Sequence, residues 1–282
     1  MASMRDIKRR KSSIQSTGQI TKAMKLVATV KLQKARGKAE QTKPYSDCMY
    51  RTVQSILERT QTVKHPYLQG GESKKKAVIV MTSNRGLAGG YNSNVVKLIT
   101  RGELADEQLQ IYAVGKKGRD ALSRAGYEVK IDASEMCEEP TYADASVLSR
   151  QVLSDFAKGE VGEIWLAYTF FKNTVVHEPR LVKLLPVECE GNGAGSDIPM
   201  NFEAPEEQIL DMLIPTYVTS LIYAGLLQAA ASENGARMQA MDSATSNAEE
   251  MIEDLTLLYN RARQGSITQE LTEIIAGASA IT

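Results

Sequence analysis

The chain has 282 residues, with 34 Lys+Arg against 34 Asp+Glu and no net formal charge. An apolar fraction of 43% excludes disorder along the whole chain. Three widely separated cysteines, Cys48, Cys137 and Cys189, exclude a disulfide scaffold and fit a reducing compartment.

The balanced charge is segregated along the chain. Residues 1–43 hold twelve Lys/Arg and two acids, a net of +10. Residues 203–282 hold twelve acids and three bases, a net of −9, and the remainder carries −1. Opposite charge at the two ends predicts that the ends lie together. A basic arm for nucleic acid is the weaker reading, because the basic segment has no interleaved aromatics.

From the N-terminus, Met4, Ile7, Ile14, Ile20, Met24, Val27, Ala28 and Val30 share a broad helical face. A similar face resumes after Pro44 with Tyr45, Met49, Val53, Ile56 and Leu57. The spacing predicts one helix from about residue 3 to about residue 58, within a terminal unit 1–60. No apolar stretch follows the basic opening, so it is not read as a secretory signal, and the unbroken periodicity disfavours a transit peptide.

A linker is expected at 61–74, then a small α/β domain at 75–190. Strands are expected at Lys75–Ser83, Leu109–Val114, Glu128–Ile131, Glu163–Phe171 and Val175–Val187. Helices are expected at Asn94–Thr100, Gly118–Ala125 and Tyr142–Ala157. This alternation predicts a Rossmann-like, doubly wound sheet ending in a hairpin. A second linker, 191–204, leads to the C-terminal unit 205–282.

That last segment carries a heptad seam. Stepping by three and four gives Leu210, Leu213, Tyr217, Ser220, Ala224, Leu227, Ala231, Asn234, Met238, Met241, Thr245, Ala248, Ile252, Leu255, Tyr259 and Ala262. After Ala262 the phase breaks, and a new stripe runs Ile267, Leu271, Ile274, Ala278, Ile281. Pro215 predicts a kink or an irregular start. Leu210–Ala231 is the best candidate for a membrane span, but Asp211 and Pro215 interrupt it and the helical stripe continues on both sides. Direct membrane insertion is therefore not expected. At ~1.5 Å per residue, helices of roughly 55 and 77 residues differ by roughly 20 residues. An antiparallel pair would then leave an unpaired apolar tip beginning near 262, which should insert into a partner. The fold class expected is thus α/β, with a long antiparallel coiled coil of the terminal helices and a central α/β domain.

No catalytic constellation emerges. Ser83–Asn94 (SNRGLAGGYNSN) sits between a strand and a helix, where a phosphate loop would lie. It lacks a Gly-Lys-Ser/Thr, and glycines 86, 89 and 90 do not follow G-x-G-x-x-G, so a structural turn or partner-binding loop is the better reading. His65 and His177 are far apart and lack neighbours at ligand spacing. No metal site and no cofactor is expected.

The opening RDIKRRKSSIQSTGQITKAMKLVATVKLQKA, the closing ARMQAMDSATSNAEEMIEDLTLLYNRARQGSITQELTEIIAGASA and the central SNRGLAGGYNSN resemble the gamma subunit of rotary F-type ATP synthases, of bacterial type. The resemblance implies a non-catalytic central-stalk rotor, one copy per complex, that couples rotation of the c-subunit ring to ATP synthesis or hydrolysis at the beta subunits. Its implied partners are the alpha–beta hexamer, the epsilon subunit and the c ring, at the cytoplasmic face of the cell membrane. By resemblance, contacts with beta fall on Arg263, Gln264, Thr268, Met24 and Arg237, and foot contacts with the c ring or epsilon fall on Phe202 and Glu203. Met200 stands where the family pattern has an aromatic. The two close cysteines of the plastid variant's redox loop have no counterpart here.

Overall fold

The computed structural model describes residues 4–59, 65–71, 73–105, 107–187 and 205–281. Six α-helices and five strands are assigned among them: α1 (Met4–Arg59), α2 (Pro66–Gln69), β1 (Lys76–Met81), α3 (Tyr91–Thr100), β2 (Leu109–Val114), α4 (Lys116–Arg124), β3 (Glu128–Asp132), α5 (Tyr142–Ala157), β4 (Glu163–Phe171), β5 (His177–Leu185) and α6 (Glu206–Ile281). A 3₁₀ turn, Ser134–Cys137, follows β3. The chain divides into two compact units, one made of residues up to 28 with those from 238 onward, the other of Thr29–Arg237.

In the first unit the opening of α1 packs on the later part of α6. Thr21 Oγ1 lies 2.8 Å from Thr245 Oγ1. Lys25 Nζ donates to Asp242 Oδ1 at 2.5 Å. A Cβ added at Gly18 would lie 3.4 Å from Cβ of Ala248. Rising numbers on one helix meet falling numbers on the other, so the pair is antiparallel. Burial on α6 recurs at Met241, Ala248 and Leu255, with Ile252, Tyr259 and Ala262 half-covered between and beyond them. On α1 covered positions recur at Met4, Ile7, Lys11, Ile14, Gly18, Thr21, Lys25 and Ala28, a three-four repeat, with Met24 half-buried beside it. From Ile267 to Ser279 every described position of α6 is exposed.

The second unit is built on one five-stranded sheet in the order β3-β2-β1-β4-β5. Strands β1 to β4 are parallel, and β5 returns antiparallel to β4. The short apolar runs of β1 and β2 suit strands covered on both faces, while β3 and β5 at the sheet edges are partly exposed. Alternate residues divide between two cores. Ala77, Ile79 and Met81 face one, with α5, the 53–57 turns of α1 and α6 from Leu210 to Ala229. Val78 and Val80 face the other, beneath Val95 and Ile99 of α3 and Leu122 of α4. Helix α5 opens on a capping box, in which Thr141 Oγ1 accepts from the Asp144 amide and the Asp144 carboxylate accepts from the Thr141 amide.

Two details of α6 position the sheet core. Helix α6 runs unbroken through Pro215, and hydroxyls of Thr216, Thr219 and Ser220 donate to carbonyls one turn back around it. Its first part is also buried on more than the seam face, because Ile214, Val218, Ile222 and Leu226 pack into the sheet core. An 18-residue window of α6 is apolar enough to cross a membrane by length and composition, with mean hydropathy 1.5, yet half of it is buried within the chain.

The short helix α2 was not anticipated. His65 caps it: Nδ1 accepts from the Tyr67 amide at 3.3 Å, which leaves Nε2–H to donate to Asp211 Oδ1 at 3.1 Å. This histidine is a buried strut between α2 and α6.

Candidate functional site

In an open α/β sheet a ligand binds beyond the carboxyl ends of the strands, where the winding reverses. Here the reversal falls between β1 and β4, so the loop Ser83–Asn94 stands at that crevice.

The loop spends its polar groups on itself. Asn92 Oδ1 accepts from the Ser83 amide at 2.9 Å, and Asn92 Nδ2 donates to Ser83 Oγ at 2.8 Å. Ser83 Oγ in turn donates to the Arg85 carbonyl at 2.6 Å. Asn84 bridges outward, donating to the Ser134 carbonyl and accepting from the Lys116 amide. Gly89 takes a positive φ of 53° and Leu87 one of 64°, an uncommon conformation for a side-chain-bearing residue. Leu87 projects outward with 63% of its surface exposed.

The crevice itself is filled by α6. Gly225 lets the helix close on Met81 and Leu166, since a Cβ there would meet them at 3.0–3.3 Å. Gln228 Oε1 accepts from the Phe171 amide at 3.2 Å, and Ser232 Oγ donates to the Thr169 carbonyl at 3.0 Å. Gly235 admits His177 and Phe171 from the β4–β5 hairpin. Residues of the chain's own helix thus pack on β1, β4 and the β4–β5 hairpin, and the loop presents Leu87.

Arg237 closes this region. Its guanidinium pairs with Glu233 at 2.7 Å, both side chains largely covered, at 14% and 16% exposure. It also reaches the Gly86 carbonyl at 3.5 Å. Burial raises the Glu233 carboxyl, and the Arg237 charge opposes that shift only in part. Tyr91, fully buried beside them, is pushed well above its ordinary value by burial and then by Glu233. Neither Glu233 nor the two helix glycines was singled out in the sequence. The i,i+4 spacing of Glu233 and Arg237 was the available signal for the pair.

The other expected contact residues lie apart from this region in the chain. Arg263, Gln264 and Thr268 are exposed on α6, just past Ala262, where the seam with α1 ends. Thr268 Oγ1 donates to the Gln264 carbonyl at 2.9 Å, one turn back along the helix. Met24 is half-buried, flanked by exposed Lys22, Leu26 and Val27. Phe202, Glu203 and Cys189 lie outside the described residues. Cys137 is packed, its thiol donating to the Thr82 carbonyl, and burial pushes its pKa up to about 12.

A family model described as ATP synthase matches residues 3–281. An ATP synthase gamma chain of Lachnoclostridium phytofermentans is 61% identical over 290 residues, covering all of both chains. This chain belongs to the ATP synthase gamma-chain family. A second family member, the sodium-ion-specific gamma chain of Acetobacterium woodii, is 38% identical across 99% of this chain and 98% of its own length. Among solved structures, the central stalk and c-ring structure of the Tetrahymena thermophila mitochondrial ATP synthase matches with a TM-score of 0.62 and 26% identity, over 80% of this chain and 99% of that one. A chain of the Euglena gracilis mitochondrial ATP synthase matches with a TM-score of 0.67 at 17% identity, over 99% and 94%, and so shares the fold. The gamma-chain fold of terminal helices and five-stranded sheet is the fold of a central-stalk rotor subunit.

Proposed function

We propose that this chain is the turning shaft of an F-type ATP synthase, without a catalytic group of its own, and that its asymmetry drives the chemistry of other subunits. The observation that carries this reading is the end of α6. The seam with α1 stops at Ala262, and beyond it Ile267, Leu271, Ile274 and Ile275 are 49–67% exposed on a lone helix. An isolated helical extension of this length is marginal in water. It becomes favourable when a surrounding sleeve buries that face, and a hexamer of alternating alpha and beta subunits supplies one.

In this reading Arg263, Gln264 and Thr268 stand at the collar, where polar side chains meet beta. Met24 offers a further contact on the opening helix. Arg237, already paired with Glu233, acts on beta through the loop it braces. A shaft without threefold symmetry touches three equivalent catalytic subunits differently. Each orientation therefore favours a different conformation of each site by its differential contact energy. Linkage then works in both directions, so ion-driven rotation forces synthesis and hydrolysis forces rotation.

The α/β domain, residues 75–190, would be the foot that joins the epsilon subunit and the c ring, with Phe202 and Glu203 in that contact. The complex would hold one copy of the chain, peripheral to the cytoplasmic face of the membrane. Co-expression with alpha and beta subunits tests this. One copy per three alpha–beta pairs, with ATP hydrolysis dependent on it, supports the rotor. A stable complex lacking those subunits would favour an adaptor instead.

A further inference from the structure

His177 opens β5 and sits opposite Phe171 of β4, at the base of the hairpin turn. Its ring lies 5.7 Å from the Phe171 ring. Its Nε2 is buried and has no hydrogen-bond partner among the described residues. That nitrogen faces the backbone of α6 at Gly235, where an added Cβ would lie only 2.6 Å from it. The imidazole tip is therefore seated in a notch that exists because residue 235 has no side chain. An orphaned nitrogen in an apolar seat is costly, and structures retain few of them.

We propose that the His177–Gly235 seat is an acid-released latch between the β4–β5 hairpin and helix α6. A neutral imidazole fits the notch, with its uncharged nitrogen against the helix. Whichever ring nitrogen holds the proton of the neutral form, a second proton leaves a cation whose Nε2–H has no acceptor in the seat, and the seat must open to hydrate it. The surrounding charges offer no rescue. On α6, Glu233 is paired with Arg237. On the hairpin, Glu178 is paired with Lys172 and Arg180. On α1, Glu40 is paired with Arg36, and Lys43 adds another positive charge beside the cleft that Phe171 lines. Burial alone acts on His177 and holds it below its ordinary value of 6.5.

The sign follows from linkage. The closed seat binds fewer protons than the open one, so closure is fully favoured above about pH 6.5. It weakens as the pH falls below that value, until the lowered pKa of the closed state is passed. The inference does not depend on the rotor assignment, since it concerns only how the hairpin holds α6.

The test uses the full chain, whose two histidines, His65 and His177, give separable imidazole signals. Amide hydrogen exchange of residues 171–177 and 228–237 is followed between pH 7.5 and 5.5, corrected for intrinsic chemistry. The expected result is an extra loss of protection on the order of tenfold at the lower pH, confined to these segments. His177→Phe should remove that pH dependence, and Gly235→Ala should open the seat already at pH 7.5. If either variant fails to fold, imidazole titration of the unaltered chain decides. Titration of His177 below 6.5 together with the hairpin amides supports the latch. Titration at or above 6.5, or equal loss of protection in unaltered and His177→Phe chains, overturns it.

Discussion

The hydroxyls of Thr21 and Thr245 meet 2.8 Å apart in the seam between the two terminal helices. Thr245 Oγ1 also lies 2.8 Å from the Met241 carbonyl, and Thr21 Oγ1 lies 3.0 Å from that of Gly18. Each hydroxyl has one proton. One threonine therefore donates across the seam while the other donates to its own helix. This pairing is satisfied only in one register, in which Gly18 also faces Ala248.

Thr21→Val should cost about 1 kcal/mol in urea unfolding, as should Thr245→Val. The double variant should cost less than the sum by about 0.5 kcal/mol or more, because the two groups are partners. Strict additivity would mean that the hydroxyls act separately.

These residues also show what the sequence concealed. The seam of α6 was readable because Met241, Ala248, Ile252 and Leu255 keep it apolar on either side of Thr245. On α1 the same repeat passes through Lys11, Gly18, Thr21 and Lys25, none of which signals burial alone. Their positions make sense only opposite α6, where Lys25 meets Asp242. Strands β1 and β2 were legible because parallel strands buried on both faces read as apolar runs. The crevice was not, since its lining is glycines and an ion pair contributed by a distant helix.

Gly18 tests how close the helices must come. Gly18→Ala should be neutral or stabilising by up to about 1 kcal/mol, since helix propensity improves and the 3.4 Å approach is ordinary contact. Gly18→Leu should destabilise by about 1–3 kcal/mol by forcing the helices apart. Thermal unfolding of the full chain separates the two outcomes.

Arg237→Ala should strand the covered Glu233 carboxylate and cost roughly 3 kcal/mol. Replacing both, as Glu233→Leu with Arg237→Met, should recover most of that loss. If the single and double variants are equally stable, the pair is not what holds this part of α6.

Asp155 accepts from Tyr112 and lies 2.9 Å from Lys130. Burial pushes its carboxyl up, but these two hydrogen bonds outweigh burial and leave it below its ordinary 3.8. Its contribution is therefore complete above about pH 4 and is lost as the pH falls through the lowered folded value. Asp155→Asn should destabilise the neutral protein by about 2 kcal/mol and flatten the acid limb of a stability–pH curve. An unchanged acid limb would assign that limb to other carboxylates.

Arg263 and Gln264 are exposed, so replacing both by Ala should change the melting of the isolated chain little, within about 0.5 kcal/mol. In the assembled complex the same change should lower coupled turnover severalfold. Truncation after Ala262 should do so more strongly while leaving the sheet unit folded. A loss of turnover matched by a loss of stability would make these residues structural.

As a rotor, the chain must turn inside its partners. The most direct test attaches a bead to the exposed Cys48 thiol, with Cys137 and Cys189 changed to Ser, in an immobilised complex with alpha and beta subunits. ATP should drive unidirectional rotation with three pauses per turn, one for each catalytic subunit. Sustained hydrolysis with a bead that only wanders by diffusion would contradict the rotor.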